Sequence, residues 1–85
     1  MAHNIVFTNE SLEDLDRLDK KVINRIIKKL KWFVKQSEPI NFAKRLKYDA
    51  IGQYRFRIGD YRVIFDNEKD KIKILRIGHR SSIYK

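Results

Sequence analysis

The stretch Tyr54-Arg55-Phe56-Arg57-Ile58-Gly59-Asp60-Tyr61-Arg62-Val63-Ile64-Phe65 reads as two five-residue strands joined by a two-residue loop. A loop with Gly first suits a type II′ hairpin turn. That turn fixes the register: Ile58 opposite Tyr61, Arg57 opposite Arg62, Phe56 opposite Val63, Arg55 opposite Ile64, and Tyr54 opposite Phe65. One face then collects Tyr54, Phe56, Ile58, Tyr61, Val63 and Phe65, and the other collects Arg55, Arg57, Arg62 and Ile64. The apolar face needs a covering layer of helices. On the other face two guanidinium groups directly across a strand pair repel, and no Asp or Glu is interleaved in either strand to offset them. Either these arginines splay into water and pair with distant carboxylates such as Asp49, or they hold a phosphate, whose oxygens match the planar guanidinium fork. The missing acids favour the phosphate.

Beyond the hairpin, the polar loop 66–70 leads into a third predicted strand with Ile72, Ile74, Leu75 and Ile77 as its apolar content. It runs on into Gly78-His79-Arg80-Ser81-Ser82-Ile83-Tyr84. Laid beside the second hairpin strand, it brings His79 and Arg80 to the arginine face. An ordinary histidine pKa of about 6.5 suits proton transfer near neutrality, although a histidine at a strand end also serves structural roles.

Before the hairpin, Ile5-Val6-Phe7-Thr8 is short and β-branched, as expected of an edge or flanking strand. Asn9 or Ser11 can cap a brief helix whose Leu12, Leu15 and Leu18 recur on one face. Asp19 is the expected cap of a second helix, in which Ile23, Ile26, Ile27, Leu30, Phe33 and Val34 form an unbroken apolar stripe. Arg25, Lys28, Lys29, Lys31 and Lys35 read as its solvated side. Trp32 lies nearly opposite the stripe, either as a lone exposed aromatic or as a contact for a protein partner. Pro39 ends the helical region, and residues 40–48 are expected to cross back over the fold with Phe42 and Leu46 as anchors.

Eighty-five residues normally make one domain with a thin core. The net charge of +9 points to a polyanion, nucleic acid ahead of a membrane surface, and is uneven: residues 1–40 carry +2 and residues 41–85 carry +7. The absence of cysteine removes disulfides, thiolate nucleophiles and cysteine-based zinc sites. No apolar run of a signal peptide opens the sequence, and no stretch approaches the roughly 20 apolar residues of a membrane span. A reducing cytoplasm is the expected compartment.

The motifs at 54–65 and 77–84, together with Leu-Glu-Asp-Leu-Asp-Arg-Leu-Asp-Lys-Lys at 12–21, resemble the RelE/ParE toxins of type II toxin-antitoxin systems along essentially the whole chain. The resemblance implies an α+β fold in one toxin domain over residues 1–85, with two N-terminal helices packed on a small, mainly antiparallel β-sheet, as in microbial ribonucleases. It implies a toxin that binds a cognate antitoxin in a hetero-oligomer. In RelE-like members it implies an mRNA interferase acting in the ribosomal A site and inhibiting translation, with neither metal nor cofactor. There the ribose 2′-OH attacks the adjacent phosphate, leaving a 2′,3′-cyclic phosphate and a 5′-OH.

By motif position, Arg62 falls on the family's phosphate-stabilising arginine and Arg80 on the arginine associated with the leaving group. Tyr84 falls on the C-terminal aromatic that stacks on or orients the base. Arg55 and Arg57 join as phosphate contacts from the face pattern. Lys44 and Lys47 stand loosely where some members keep a lysine as base or phosphate contact, and their spacing singles out no general base. His79 is a further candidate for acid or base work, although many relatives carry another residue there. The alternatives are a ParE-like poison of DNA gyrase and a non-catalytic RNA-binding module; the His79-Arg80 and Tyr84 ending favours the ribonuclease. An antitoxin is expected to lay acidic side chains over the arginines, with Trp32 and the lysine face of the second helix as another contact.

Overall fold

A computed structural model describes residues 3–47 and 51–83. Strands β3 (Tyr54–Ile58) and β4 (Tyr61–Glu68) pair in the register that the turn chemistry dictates, from Ile58 against Tyr61 to Tyr54 against Phe65. Gly59 has φ +58°, whereas Asp60 keeps a negative φ. This fits a type II′ turn and excludes type I′, which needs positive φ at both central positions.

The five-stranded sheet has the order β1-β5-β4-β3-β2. Strand β1 (Asn4–Phe7) runs parallel to β5 (Lys71–His79), and every other pair is antiparallel. Two N-terminal helices, α1 (Asn9–Asp16) and α2 (Lys20–Val34), complete the expected α+β architecture. No helix among the described residues is long and apolar enough to cross a membrane.

Helix α2 lays its stripe on the sheet. Ile26, Leu30, Phe33 and Val34 are buried against Phe56, Ile58, Val63 and Phe65, and Ile23 and Ile27 pack at the margin. Phe33 stacks on Phe56 at 4.1 Å, and Phe56 stacks on Phe65 at 4.2 Å. Each such side chain contributes about 1.5–3 kcal/mol when fully buried. Asp19 sits at the cap position, but its carboxylate makes no capping hydrogen bond.

Helix α1 departs from expectation. Its cap is Thr8, whose Oγ1 accepts from the Ser11 N–H at 3.2 Å, rather than Asn9 or Ser11. Starting the helix there turns Ser11, Asp14 and Leu15 inward and leaves Leu12 exposed, because Asp14 takes an inward place to meet the edge of β5.

In β5 the buried positions run Ile72, Ile74 and then Ile77. A bulge explains the change of phase: Ile64 pairs with Arg76 and Phe65 with Ile74, leaving Leu75 as the extra residue. Leu75 packs with the fully buried Ile64 under Gly52, where a Cβ would lie 2.7 Å from Leu75 Cδ1 and 2.8 Å from Ile64 Cγ2. Only glycine fits under so close an approach.

The crossing segment also corrects the sequence reading. Pro39 opens a 3-10 turn (Pro39–Phe42) and is itself buried, whereas Phe42, expected as an anchor, is 48% exposed. Strand β2 (Lys44–Arg45) follows as a two-residue edge against Arg55 and Tyr54. Two basic residues carry no apolar alternation from which a strand could be read. The expected end of the crossing at Tyr48, and the distant carboxylate Asp49, lie outside the described residues.

Candidate active site

Arg62 occupies the middle of the sheet, opposite Arg57 on β3 and Gly78 on β5. It does not splay into water. It is 8% exposed, and its Nη1 donates to the carbonyl oxygens of Gly59 and Tyr61, each at 3.0 Å. Burial first, and then the charges of Arg57, Arg55 and Arg80, push its pKa below the ordinary arginine value, with Asp60 opposing. The guanidinium still stays charged near neutrality. A withdrawn cation surrounded by cations is electrostatically costly until an anion arrives.

The end of β5 completes a cleft of about 410 Å³ lined by Arg55, Arg62, His79, Arg80 and Ser81, with no carboxylate in this lining. The Arg80 N–H donates to the Asp60 carbonyl at 2.8 Å, which ties the strand end to the hairpin tip. The Arg80 side chain is held more loosely, with Nε 3.5 Å from Asp60 Oδ1 and both side chains exposed. An exposed pair of this kind is worth little and is easily exchanged for a stronger anion.

His79 lies opposite Tyr61 and packs edge-on against its ring at 5.5 Å. The Ser81 N–H donates to His79 Nδ1 at 3.1 Å, and Ser81 Oγ lies 2.8 Å from the same nitrogen. This network assigns the lone pair to Nδ1, so the neutral ring carries its proton on Nε2. In that state it offers a donor, while its basic nitrogen is occupied.

A second cleft, of about 420 Å³, is lined by Asn41, Phe42, Ala43, Lys44, Arg55 and Arg57. Arg55 belongs to both clefts, so the basic surface is continuous from β5 to the edge strand. The structure therefore brings Arg62, Arg80, His79 and Arg55 together and sets Arg57 and Lys44 beside them. Lys47 is exposed and lines neither cleft. Tyr84 lies outside the described residues. Trp32, 43% exposed, carries Lys29 Nζ 4.6 Å from its ring centre, with Arg25 and Lys28 beside it.

Two residues escaped the sequence reading. The guanidinium of Arg25, placed on the solvated side of α2, lies against the hairpin tip, where a Cβ on Gly59 would sit 2.6 Å from its Nη2. Asp14 is buried and accepts from Arg76 Nε at 2.8 Å, Arg76 Nη2 at 3.2 Å and the Ile77 N–H at 2.9 Å. Its one sequence signal is an acid placed next to Leu15 on a short helix.

Over residues 5–84 the chain matches the family described as the ParE toxin of type II toxin-antitoxin system, parDE. It is 28% identical to Toxin RelG of Mycobacterium tuberculosis, over 100% of this chain and 99% of that protein. It is 30% identical to Toxin RelE3 of Methanocaldococcus jannaschii, over 94% of this chain and 93% of that protein. Its fold is similar to a chain of the RelBE2 toxin-antitoxin complex from Mycobacterium tuberculosis, with TM-score 0.77 and 24% identity, covering 94% of this chain and 100% of that one. A chain of the archaeal RelE-RelB complex from Pyrococcus horikoshii is similar at TM-score 0.71 and 29% identity, with 96% and 99% covered. The family match over nearly the whole chain, joined to RelE-type relatives of the same length and fold, makes this protein a member of the RelE/ParE superfamily of type II toxins.

Proposed function

We propose that this toxin is a metal-independent endoribonuclease of the RelE type, which cleaves mRNA on the ribosome and so inhibits translation. The whole chain acts as one domain, and the mRNA substrate makes the cytoplasm its place of action. The observation that carries this reading is Arg62: a buried guanidinium, anchored by two carbonyls and ringed by Arg55, Arg57 and Arg80, in a cleft whose lining has no carboxylate.

Cleavage requires the 2′-OH to lose a proton as it attacks the adjacent phosphorus. The leaving 5′ oxygen must gain one as its bond breaks, giving a 2′,3′-cyclic phosphate and a 5′-OH. Negative charge accumulates on the phosphorane oxygens, where a fixed guanidinium stabilises the transition state without reorganising. Arg62 supplies that fixed charge. Arg80, loosely held by Asp60, moves to the leaving-group side. His79, with its proton on Nε2, serves as a donor to the same cleft, and Arg55, Arg57 and Lys44 hold flanking phosphates. Tyr84 enters on its motif position alone, as the aromatic that orients the base. Lys47 keeps a place only as an outlying phosphate contact.

The toxins in the RelBE2 and Pyrococcus complexes are bound to antitoxins. By analogy, an antitoxin covers this basic surface with acidic side chains and uses Trp32 as a further contact. Induction of the wild type is expected to halt growth and to create new 5′ ends in ribosome-bound mRNA, mapped by primer extension. Arg62→Ala and Arg80→Ala should remove both effects while the protein stays folded. Accumulation of gyrase-linked DNA breaks with intact mRNA would instead assign a ParE-like activity, and a harmless wild type would leave a non-catalytic RNA-binding module.

A further inference from the structure

Phe42 is one of the few large apolar side chains left exposed among the described residues, and it borders the basic cleft on Arg55 and Arg57. Its ring leans edge-on against Trp32 at 5.1 Å and 77°, and lies tilted at 42° against Phe33 at 6.0 Å, so packing fixes its orientation while nearly half of it stays open. Asn41, Lys44, Arg55 and Arg57 surround it, with no carboxylate in this lining. A fixed aromatic face flanked by cations is the arrangement on which single-stranded nucleic acids stack their bases and track their phosphates. The cations also face one another: Lys44 stands opposite Arg55, and Arg57 opposite Arg62. An anion bound beside Arg57 and Arg62 relieves the repulsion within that pair.

We propose that this cleft is a second nucleobase subsite for single-stranded RNA, in which Phe42 stacks a base while Lys44 and Arg57 hold the phosphate beside it. The inference rests on the reading of the Arg62 cleft as a phosphate clamp and extends the same RNA track through Arg55. Strand β2 lies three strand spacings from β5, about 14 Å, a span that a short run of nucleotides bridges. The subsite therefore engages only RNA long enough to reach beyond the scissile phosphate.

The test uses 2′-O-methyl oligoadenylates of increasing length, which lack the attacking hydroxyl and remain intact. Binding is followed by the fluorescence anisotropy of an end-labelled oligomer, and the emission of Trp32, the single tryptophan of the chain, which touches Phe42, is recorded beside it. Affinity is expected to rise in a step at the length that spans both clefts, with a change in Trp32 emission at the same length. Phe42→Ala should remove the step, a loss of about 5- to 150-fold for the long oligomers, as expected for one stacked base. Short oligomers should bind the variant as before, and Phe42→Tyr should restore the step.

Arg62→Ala should weaken short and long oligomers alike. Binding indifferent to Arg62 at every length would overturn the clamp and this subsite together. An Arg62-dependent interaction with no length step, or with a step that survives Phe42→Ala, would overturn the subsite alone. If Phe42→Ala keeps the step and instead abolishes neutralisation by the antitoxin, the patch is a protein-docking surface and the proposal fails.

Discussion

Arg76 on β5 and Arg62 on β4 carry the same guanidinium into opposite surroundings. The Asp14 carboxylate takes Arg76 Nε and Nη2, and that hydrogen bonding, followed by the charge of Asp14, raises the pKa of Arg76. Arg62 has carbonyls and other arginines for company, and burial followed by those like charges lowers its pKa. The first pair is a fastening. β1 accompanies β5 only as far as Ile74, and Asp14 receives the Ile77 N–H on the edge that β1 leaves open, tying α1 to the strand that ends in His79. The second arginine makes no ion pair among the described residues, and an anion can bind there. Burial of an arginine is thus no sign of function by itself; burial without an ion pair among the described residues is.

The two shifts have opposite linkage signs. The raised pKa of Arg76 adds stability that is fully present below its unfolded value and is lost as pH climbs through the folded one. The lowered pKa of Arg62 subtracts stability below its folded value, a penalty relieved as pH rises towards the unfolded one. Both windows lie in strong base, so neither arginine gives a pH dependence near neutrality.

The largest effect on stability should come from breaking the fastening. Asp14→Ala removes three charge-assisted hydrogen bonds, and the partly exposed Arg76 can turn to water. A loss of about 2–3 kcal/mol is expected in urea unfolding. A loss below half of that would mean that α1 is held by its apolar contacts alone. Replacing Arg62 should behave otherwise. Arg62→Met keeps much of the volume and removes a repelled charge, so its stability should stay within about 1 kcal/mol of the wild type while toxicity disappears. Severe destabilisation would make Arg62 a structural residue like Arg76.

The smallest expected effect concerns His79. A positioned general acid or base contributes about 10²–10⁴-fold. With Nδ1 engaged by Ser81, His79→Ala should slow cleavage by less than that on programmed ribosomes. A loss of the full magnitude would restore the histidine as the proton-transfer group.

Much of this comparison was legible before the fold. The hairpin register depends on a two-residue turn and a period of two, both local, and it put Arg57 opposite Arg62 with no acid between them. The α2 stripe was equally local. What escaped was decided by tertiary packing. The Leu75 bulge shifts the phase of β5, and Gly52 crosses over it. Asp14 turns inward because an unpaired strand edge needs an acceptor, and Arg25 reaches the hairpin turn from a helix face that reads as solvent. Phe42 was read as an anchor because hydropathy alone cannot tell a buried ring from one held open beside cations.

The most direct test of the clamp is a single-turnover cleavage assay on mRNA-programmed ribosomes at saturating toxin, comparing wild type with Arg62→Ala. Removal of one preorganised donor to a developing oxyanion costs about 10²–10³-fold. A fall of that size, with the variant folded and ribosome binding retained, is the predicted result. A rate within a few-fold of wild type would contradict it.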